Sequence, residues 1–405
     1  MKPIVRAGRM KPVHSDIRGP LFVEAMKRQK QGIDILKLNT GNPATFGFGL
    51  PDSIKNALME HMQDSVGYCD FKGMPQARQA ICDYETSKDI KGITSDDVFI
   101  GNGVSEVVSF ALTPLLNDGD EVLVPSPSYS LWGNSIYLEG GKPVFYTCDE
   151  KANWYPDIKD IRSKITDKTK AIVIINPNNP TGVLYPKELL LEIIQIARES
   201  GLLIFADEIY DRLVMDGKQH ISLASLTEDV PVITLNGLSK SHCLCGYRCG
   251  WMVISGPREL TEDYRQGIIQ LTSLRLCANT LAQIVIPAAL DDMDTPASMV
   301  RPGGRIYEQR EATVRELEKI DGLSFVKNDA AFYVFPKLDV KKFNITNDKQ
   351  FAHDLLDATN ILLVPGSGFD WKDPDHFRIV MLPQADILSD AIRRMGTFLD
   401  GYKQK

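Results

Sequence analysis

Between residues 95 and 255, short apolar runs recur at intervals with amphipathic stretches between them, and this alternation limits the fold more than any other feature. The runs fall at 97–101, 121–125, 171–176, 202–207, 232–236 and 251–255. Each is close to continuous Val, Ile and Leu, the pattern of a strand whose two faces are both covered by helices. Helical patterns at 105–116, 186–199 and 260–271 occupy the spaces between them. Strand and helix in turn predict an α/β fold, with a large, mostly parallel sheet of about seven strands flanked by helices.

A polar, Pro/Gly-containing stretch at 291–304 marks a change of character. A helix at 306–320 follows, then strand-like segments at 332–335, 361–365 and 377–382; near the N-terminus a helical pattern covers 21–31. A chain of 405 residues is too long for one simple core. The expected division is a large domain over 51–295 and a smaller α+β domain formed by 1–50 with 296–405.

Composition removes several classes of function. The net charge of −7 argues against a nucleic-acid-binding surface. No 18-residue apolar stretch is present to span a membrane, and no apolar segment follows the basic N-terminus as in a secretory signal. Seven scattered cysteines suit reduced thiols and a cytoplasmic protein. Cys243, Cys245 and Cys249 lack a second ligand pair at metal-site spacing, so no metal is expected; small residues packed near a tight turn is the preferred reading.

The polar residues that end the apolar runs form a chemical set. Lys240 lies just past the run 232–236, where open α/β sheets place ligands and where a desolvated lysine becomes a nucleophilic amine. Asp207 ends another run and suits a cationic partner, being expected as the carboxylate at neutral pH; Tyr210 follows three residues on. Asn179 lies in a Pro/Asn/Gly turn after 171–176. Residues Gly101 to Glu106, with Val104 and Ser105, open a helix where backbone N–H groups bind anions or where the acid simply caps the turn. Arg248 offers a fork of donors for phosphate. Tyr129, at a strand end, either stacks on a flat ring or packs as an ordinary half-buried aromatic. Arg378, inside an apolar strand, needs an anionic partner such as a substrate α-carboxylate, and Gly41 offers an unhindered backbone in a turn.

In combination and in order, Gly41, Tyr68, the 103–105 loop, Tyr129, Asn179, Asp207, Tyr210, Lys240, Arg248 and Arg378 resemble the fold-type I pyridoxal-phosphate enzymes, specifically class I/II aminotransferases. The resemblance runs from about Leu36 to Phe398. It implies a pyridoxal 5'-phosphate cofactor joined to Lys240 as a Schiff base, with Asp207 on the ring nitrogen and Tyr210 and Asn179 on the phenolic oxygen. Tyr129 would stack on the ring, Val104, Ser105, Ser239 and Arg248 would hold phosphate, and Gly41, Asn179 and Arg378 would bind substrate. Tyr68 resembles a tyrosine that reaches the phosphate of a neighbouring subunit, which implies a homodimer. Many relatives carry a hydroxyl residue where this chain has Gly237, so Ser239 or backbone is expected to compensate.

Runs such as Asp-Ile-Arg-Gly-Pro at 16–20 are similar to bacterial glutamate–pyruvate (alanine) aminotransferases. That likeness implies exchange of an amino group between glutamate or alanine and pyruvate or 2-oxoglutarate. Arg18 then either grips the distal carboxylate of glutamate or is a surface arginine before a Gly-Pro turn. A C–S lyase or an aromatic or branched-chain aminotransferase would use the same lysine, aspartate and arginines. A non-catalytic ligand-sensing domain is disfavoured, because about forty residues before Gly41 are too few for a DNA-binding module.

Overall fold

The computed structural model describes residues 3–405, so the first two residues of the N-terminal range read above lie outside it. Eight strands form the principal sheet: β1 Val98–Asn102, β2 Glu121–Ser126, β3 Lys142–Asp149, β4 Tyr155–Pro156, β5 Thr169–Ile175, β6 Leu203–Asp207, β7 Val232–Gly237 and β8 Cys249–Ser255. Their spatial order is β1-β8-β7-β6-β5-β2-β3-β4. Pairs β3/β2, β2/β5, β5/β6 and β6/β7 are parallel. Strand β8 runs antiparallel to both β1 and β7, and β4 antiparallel to β3. The apolar runs are therefore strands, and the parallel-rich sheet is as expected.

The interior of the sheet is apolar on both faces. Leu123, Ile172, Ile174 and Ile204 belong to one buried cluster, and Val122, Val124, Val173 and Phe205 to another. Helix Lys187–Ser200 covers one face with Leu189, Leu190, Ile193, Ile194 and Ala197, a three- and four-residue spacing that makes one apolar stripe. Gly201, in the left-handed conformation with φ 65°, ends that helix without a Cβ clash. The helix read as 105–116 stops at Leu112, just before Thr113 and Pro114, since proline continues a helix poorly and restrains the residue before it. The helix read at 260–271 extends over Arg258–Arg275.

A second sheet holds β9 Tyr333–Val334, β10 Val364–Pro365 and β11 Phe377–Val380 in the order β9-β11-β10, with both pairs antiparallel. The segment read as one strand at 361–365 divides: Ile361–Leu362 pairs instead with Leu36–Lys37 in parallel. Helices Arg305–Leu317, Asp348–Thr359 and Ala385–Asp400 cover this region, and Leu38 joins Phe351, Ile379 and Leu388 in its core. Among the described residues no helix is long and apolar enough to cross a membrane.

Candidate active site

In a mostly parallel sheet the C-terminal strand ends share one edge. Here β1, β2, β5, β6 and β7 all deliver their following residues to that edge: Val104 and Ser105, Tyr129, Asn179, Asp207, and Lys240. Strand β8 runs the other way, so its N-terminal end meets the same edge and brings Arg248 with it. These residues line a cleft of about 900 Å³ together with Arg18, Gly41, Tyr210, Ser239 and Arg378. Tyr68 lies outside it and is exposed.

At the floor, Asp207 is buried and accepts a hydrogen bond from Trp132 Nε1 at 3.1 Å and a longer one, 3.4 Å, from the Ile209 amide. Burial outweighs both and pushes its carboxyl up to about 6. Asp207 therefore remains mainly ionised at neutral pH, as expected, but would gain from a nearby cation. Lys240 Nζ donates to the Gly41 carbonyl at 3.0 Å and lies 5.7 Å from the centre of the Phe332 ring. The buried Tyr210 and Tyr333 hydroxyls share a hydrogen bond of 2.9 Å.

At the helix mouth, Gly103 has φ 84°, and a Cβ there would come within 2.2 Å of the Arg248 guanidinium. Glycine is thus required both by the backbone and by the arginine lying across it. Glu106 folds back to accept from the Asn102 amide at 2.7 Å and from Arg275 at 2.7 Å. The Val104 and Ser105 amides are in the first helical turn and have no intrahelical acceptor, which is the usual anion-binding arrangement. A Cβ on Gly237 would lie 2.5 Å from the Cys249 carbonyl oxygen and 3.0 Å from Gly250 Cα. The hydroxyl residue of many relatives therefore has no room at this point of the β7/β8 pair.

On the opposite wall, Arg378 is 1% exposed on the central strand β11. Its Nη1 donates to Asn179 Oδ1 at 3.0 Å and its Nη2 to the Asn39 carbonyl, while its buried Nε finds no partner among the described residues. Because Asn179 Oδ1 is turned to the arginine, its Nδ2 is left as the donor. Arg378 also stacks over Tyr333, at 4.6 Å from the ring centre. Arg18 reaches the cleft from the N-terminal segment and is exposed.

Behind the cleft, the turn carrying Asp207 and Tyr210 is fastened by its other carboxylates. Glu208 accepts from Ser222 Oγ at 2.8 Å and the Leu223 amide at 3.1 Å; Asp211 accepts from Tyr84 Oη at 2.6 Å and Asn236 Nδ2 at 2.7 Å. With His220 these two acids come within metal-ligand spacing, but Lys88 Nζ lies 3.0 Å from Glu208 and 3.3 Å from Asp211 and supplies the cation. The three clustered cysteines diverge: the Cys245 thiol meets Asn42 Oδ1 at 3.1 Å, while burial pushes Cys243 and Cys249 up to about 12. Trp132, Tyr333 and Asn39 are the site residues that sequence reasoning missed.

These residues fit pyridoxal phosphate: a cleft-facing amine, a buried carboxylate that lacks a cation, an anion-binding helix mouth that a Cβ would fill, and an orphaned guanidinium nitrogen. The Aminotransferase class I and II family model matches residues 33–392. Glutamate-pyruvate aminotransferase AlaA of Haemophilus influenzae is 50% identical, with all of both chains covered. Alanine aminotransferase of Mycobacterium tuberculosis is 45% identical over 100% of this chain and 94% of its own. Among solved structures, an aminotransferase from Escherichia coli superposes with a TM-score of 0.98 at 46% identity over 100% of both chains. Alanine aminotransferase from Pyrococcus furiosus gives 0.93 at 40% identity, covering 98% of this chain and 100% of that one. With strand-end chemistry, sheet order and near full-length similarity in agreement, the chain belongs to the class I and II aminotransferases.

Proposed function

We propose that the protein exchanges an amino group between glutamate and pyruvate, giving 2-oxoglutarate and alanine, by two half-reactions on one pyridoxal phosphate. When bound, that group supplies an aldehyde for amine capture and a ring that takes up an electron pair. Lys240 Nζ would be its attachment point and, as a free amine, would carry the proton from the substrate Cα to the carbon of the former aldehyde. Asp207 would hold the proton on the ring nitrogen, Tyr210 and Asn179 Nδ2 would donate to the phenolic oxygen, and Tyr129 would stack on the ring. Val104, Ser105, Ser239 and Arg248 hold the phosphate. Gly41 backbone and the Arg378 guanidinium receive the substrate, and Arg18 takes the distal carboxylate of glutamate.

The observation that carries the reading is Arg378: a guanidinium 1% exposed, with carbonyl and amide acceptors but, among the described residues, no carboxylate paired with it. A buried charge without its counterion is costly, and a substrate α-carboxylate supplies that counterion each time one binds. The test is a half-reaction panel. The purified holoprotein is mixed with single amino acids while cofactor absorbance and oxo-acid release are followed. Glutamate and alanine should both discharge it; ammonia and a thiol from cysteine-like substrates, without an oxo-acid acceptor, would overturn the transaminase reading in favour of a lyase.

Three further parts belong to this reading. The exposed apolar side chains Met59, Met62, Val66, Tyr68, Leu274 and Leu276 form the face that a second copy covers, bringing Tyr68 to the partner's phosphate. The region 1–50 with 296–405 closes against 51–295 when substrate binds. The enzyme works in the cytoplasm.

A further inference from the structure

We propose that His14 is a positioning residue for substrate recognition: it clamps residues 15–18 to the body of the protein and so sets Arg18 at the cleft wall. This rests on the distal-carboxylate role given to Arg18 above. Ser15, Ile17 and Arg18 all line the cleft, yet the segment that carries them belongs to neither sheet. Polar bonds hold it instead.

His14 is the centre of those bonds. Its amide donates to Asn134 Oδ1 at 3.1 Å and its carbonyl accepts from Asn134 Nδ2 at 2.6 Å, so one side chain of helix Leu131–Leu138 pairs with the segment as a neighbouring strand would. The imidazole lies between two acids, with Nε2 3.1 Å from Asp370 Oδ1 and Nδ1 3.7 Å from Asp16 Oδ2. Asp16 is also paired with Lys349 Nζ, at 3.2 and 3.3 Å. The approach of Asp16 depends on Gly368, where a Cβ would lie 2.8 Å from Asp16 Cβ. On the far side of the acid, the Ile17 carbonyl accepts from Asn39 Nδ2 at 2.8 Å, and Asn39 is the residue whose carbonyl receives Arg378. The clamp thus adjoins the grip on the α-carboxylate.

The protonated imidazole donates to Asp370, lies within ion-pair range of Asp16 and, with Lys349, balances their charge; the neutral ring leaves the acids without that cation. Helix Leu131–Leu138 adds Tyr137, which also faces Asp370. The nearby carboxylates of Asp16 and Asp370 push His14 up to about 9. For a raised histidine the stabilisation is complete below the ordinary value and is lost as pH rises through the folded one. The clamp is therefore closed at neutral pH and loosens above about pH 9.

The test uses the holoenzyme with His14→Ala and His14→Gln. His14→Ala should raise the glutamate KM about two- to fivefold, as far as removing Arg18 itself would, because it acts only through that residue. The alanine KM and kcat should change less than about twofold, because Arg18 serves only the distal carboxylate. In the wild type the glutamate KM should climb above pH 9, while both variants stay flat, His14→Gln keeping one donor and an intermediate KM. Trypsin should cut after Arg18 faster in His14→Ala than in the wild type at pH 7.5. An unchanged glutamate KM, or glutamate and alanine KM rising together with loss of bound cofactor, would overturn the clamp. A wild type inactive on both amino acids would sink the proposed function instead; the clamp is then read from trypsin alone, and equal cutting overturns it.

Discussion

Two arginines line the cleft and differ in nearly every physical respect. Arg378 is buried in the middle of a sheet, with Asn179, Asn39, Tyr333 and Phe369 fixing it on all sides. Arg18 is exposed on a segment outside both sheets. The difference matches what each is proposed to bind. Every amino acid brings an α-carboxylate, so a rigid, desolvated grip is always satisfied. Only glutamate brings a second carboxylate, and alanine places a methyl group there. A buried arginine would then be left unpaired in half the catalytic cycle, whereas an exposed one turns to water at little cost.

The largest effects should come from the buried wall and floor. Replacing Lys240 with Ala removes the proposed proton carrier and should lower transamination by about 10³-fold or more. Val104, Ser105, Arg248 and Asp207 are untouched, so cofactor should stay with the protein through gel filtration; wild-type turnover would remove Lys240 from the mechanism. Next comes Arg378→Lys, which keeps the charge but loses the planar fork and strips donors from Asn179 Oδ1 and the Asn39 carbonyl. We expect kcat/KM to fall by roughly 10²-fold for glutamate and alanine alike. A loss confined to glutamate would exchange the roles of the two arginines.

Asp207 gives a prediction of opposite sign for stability and function. Its folded value of about 6 stands above the ordinary 3.8, so the unfolded chain releases this proton first. Stability is therefore lost as pH rises between those values, and the full cost of about 3 kcal/mol applies above pH 6. Cofactor-free Asp207→Asn should be more resistant to urea than the cofactor-free wild type at pH 7–8, by up to that amount. The advantage should shrink towards pH 4, and the variant should hold cofactor less tightly. Equal urea midpoints at pH 8 would mean that the buried carboxylate is not strained.

These contrasts also explain what could be read from the chain beforehand. Strands β2, β5, β6 and β7 are buried on both faces, so their composition alone marked them, and their polar terminal residues marked the site. Strand β3 Lys142–Asp149 escaped because it alternates buried with half-exposed positions and begins and ends with charge. The reversed direction of β8, which brings Arg248 into place, is a matter of pairing and not of composition. Trp132 meets Asp207 across 75 residues and Tyr333 meets Tyr210 across 123, each from an apolar stretch where an aromatic reads as core. His14 was equally silent, since its role depends on Asn134 and Asp370, supplied by distant parts of the chain.

The smallest effect should belong to Arg18. Ion pairs in water contribute little, and truncating one partner of an exposed pair typically changes affinity by two- to fivefold at most. Arg18→Ala should therefore raise the glutamate KM roughly two- to fivefold and leave the alanine KM within about twofold. Salt separates this from a change of shape. Raising ionic strength from about 0.15 to 1 M shortens the screening length from about 8 to 3 Å, so the wild type should lose its advantage over the variant while Arg378, enclosed by protein, keeps its hold. A difference that persists at high salt would place Arg18 in a closed, water-free contact with glutamate, and would mean that the segment carrying it folds down over the substrate.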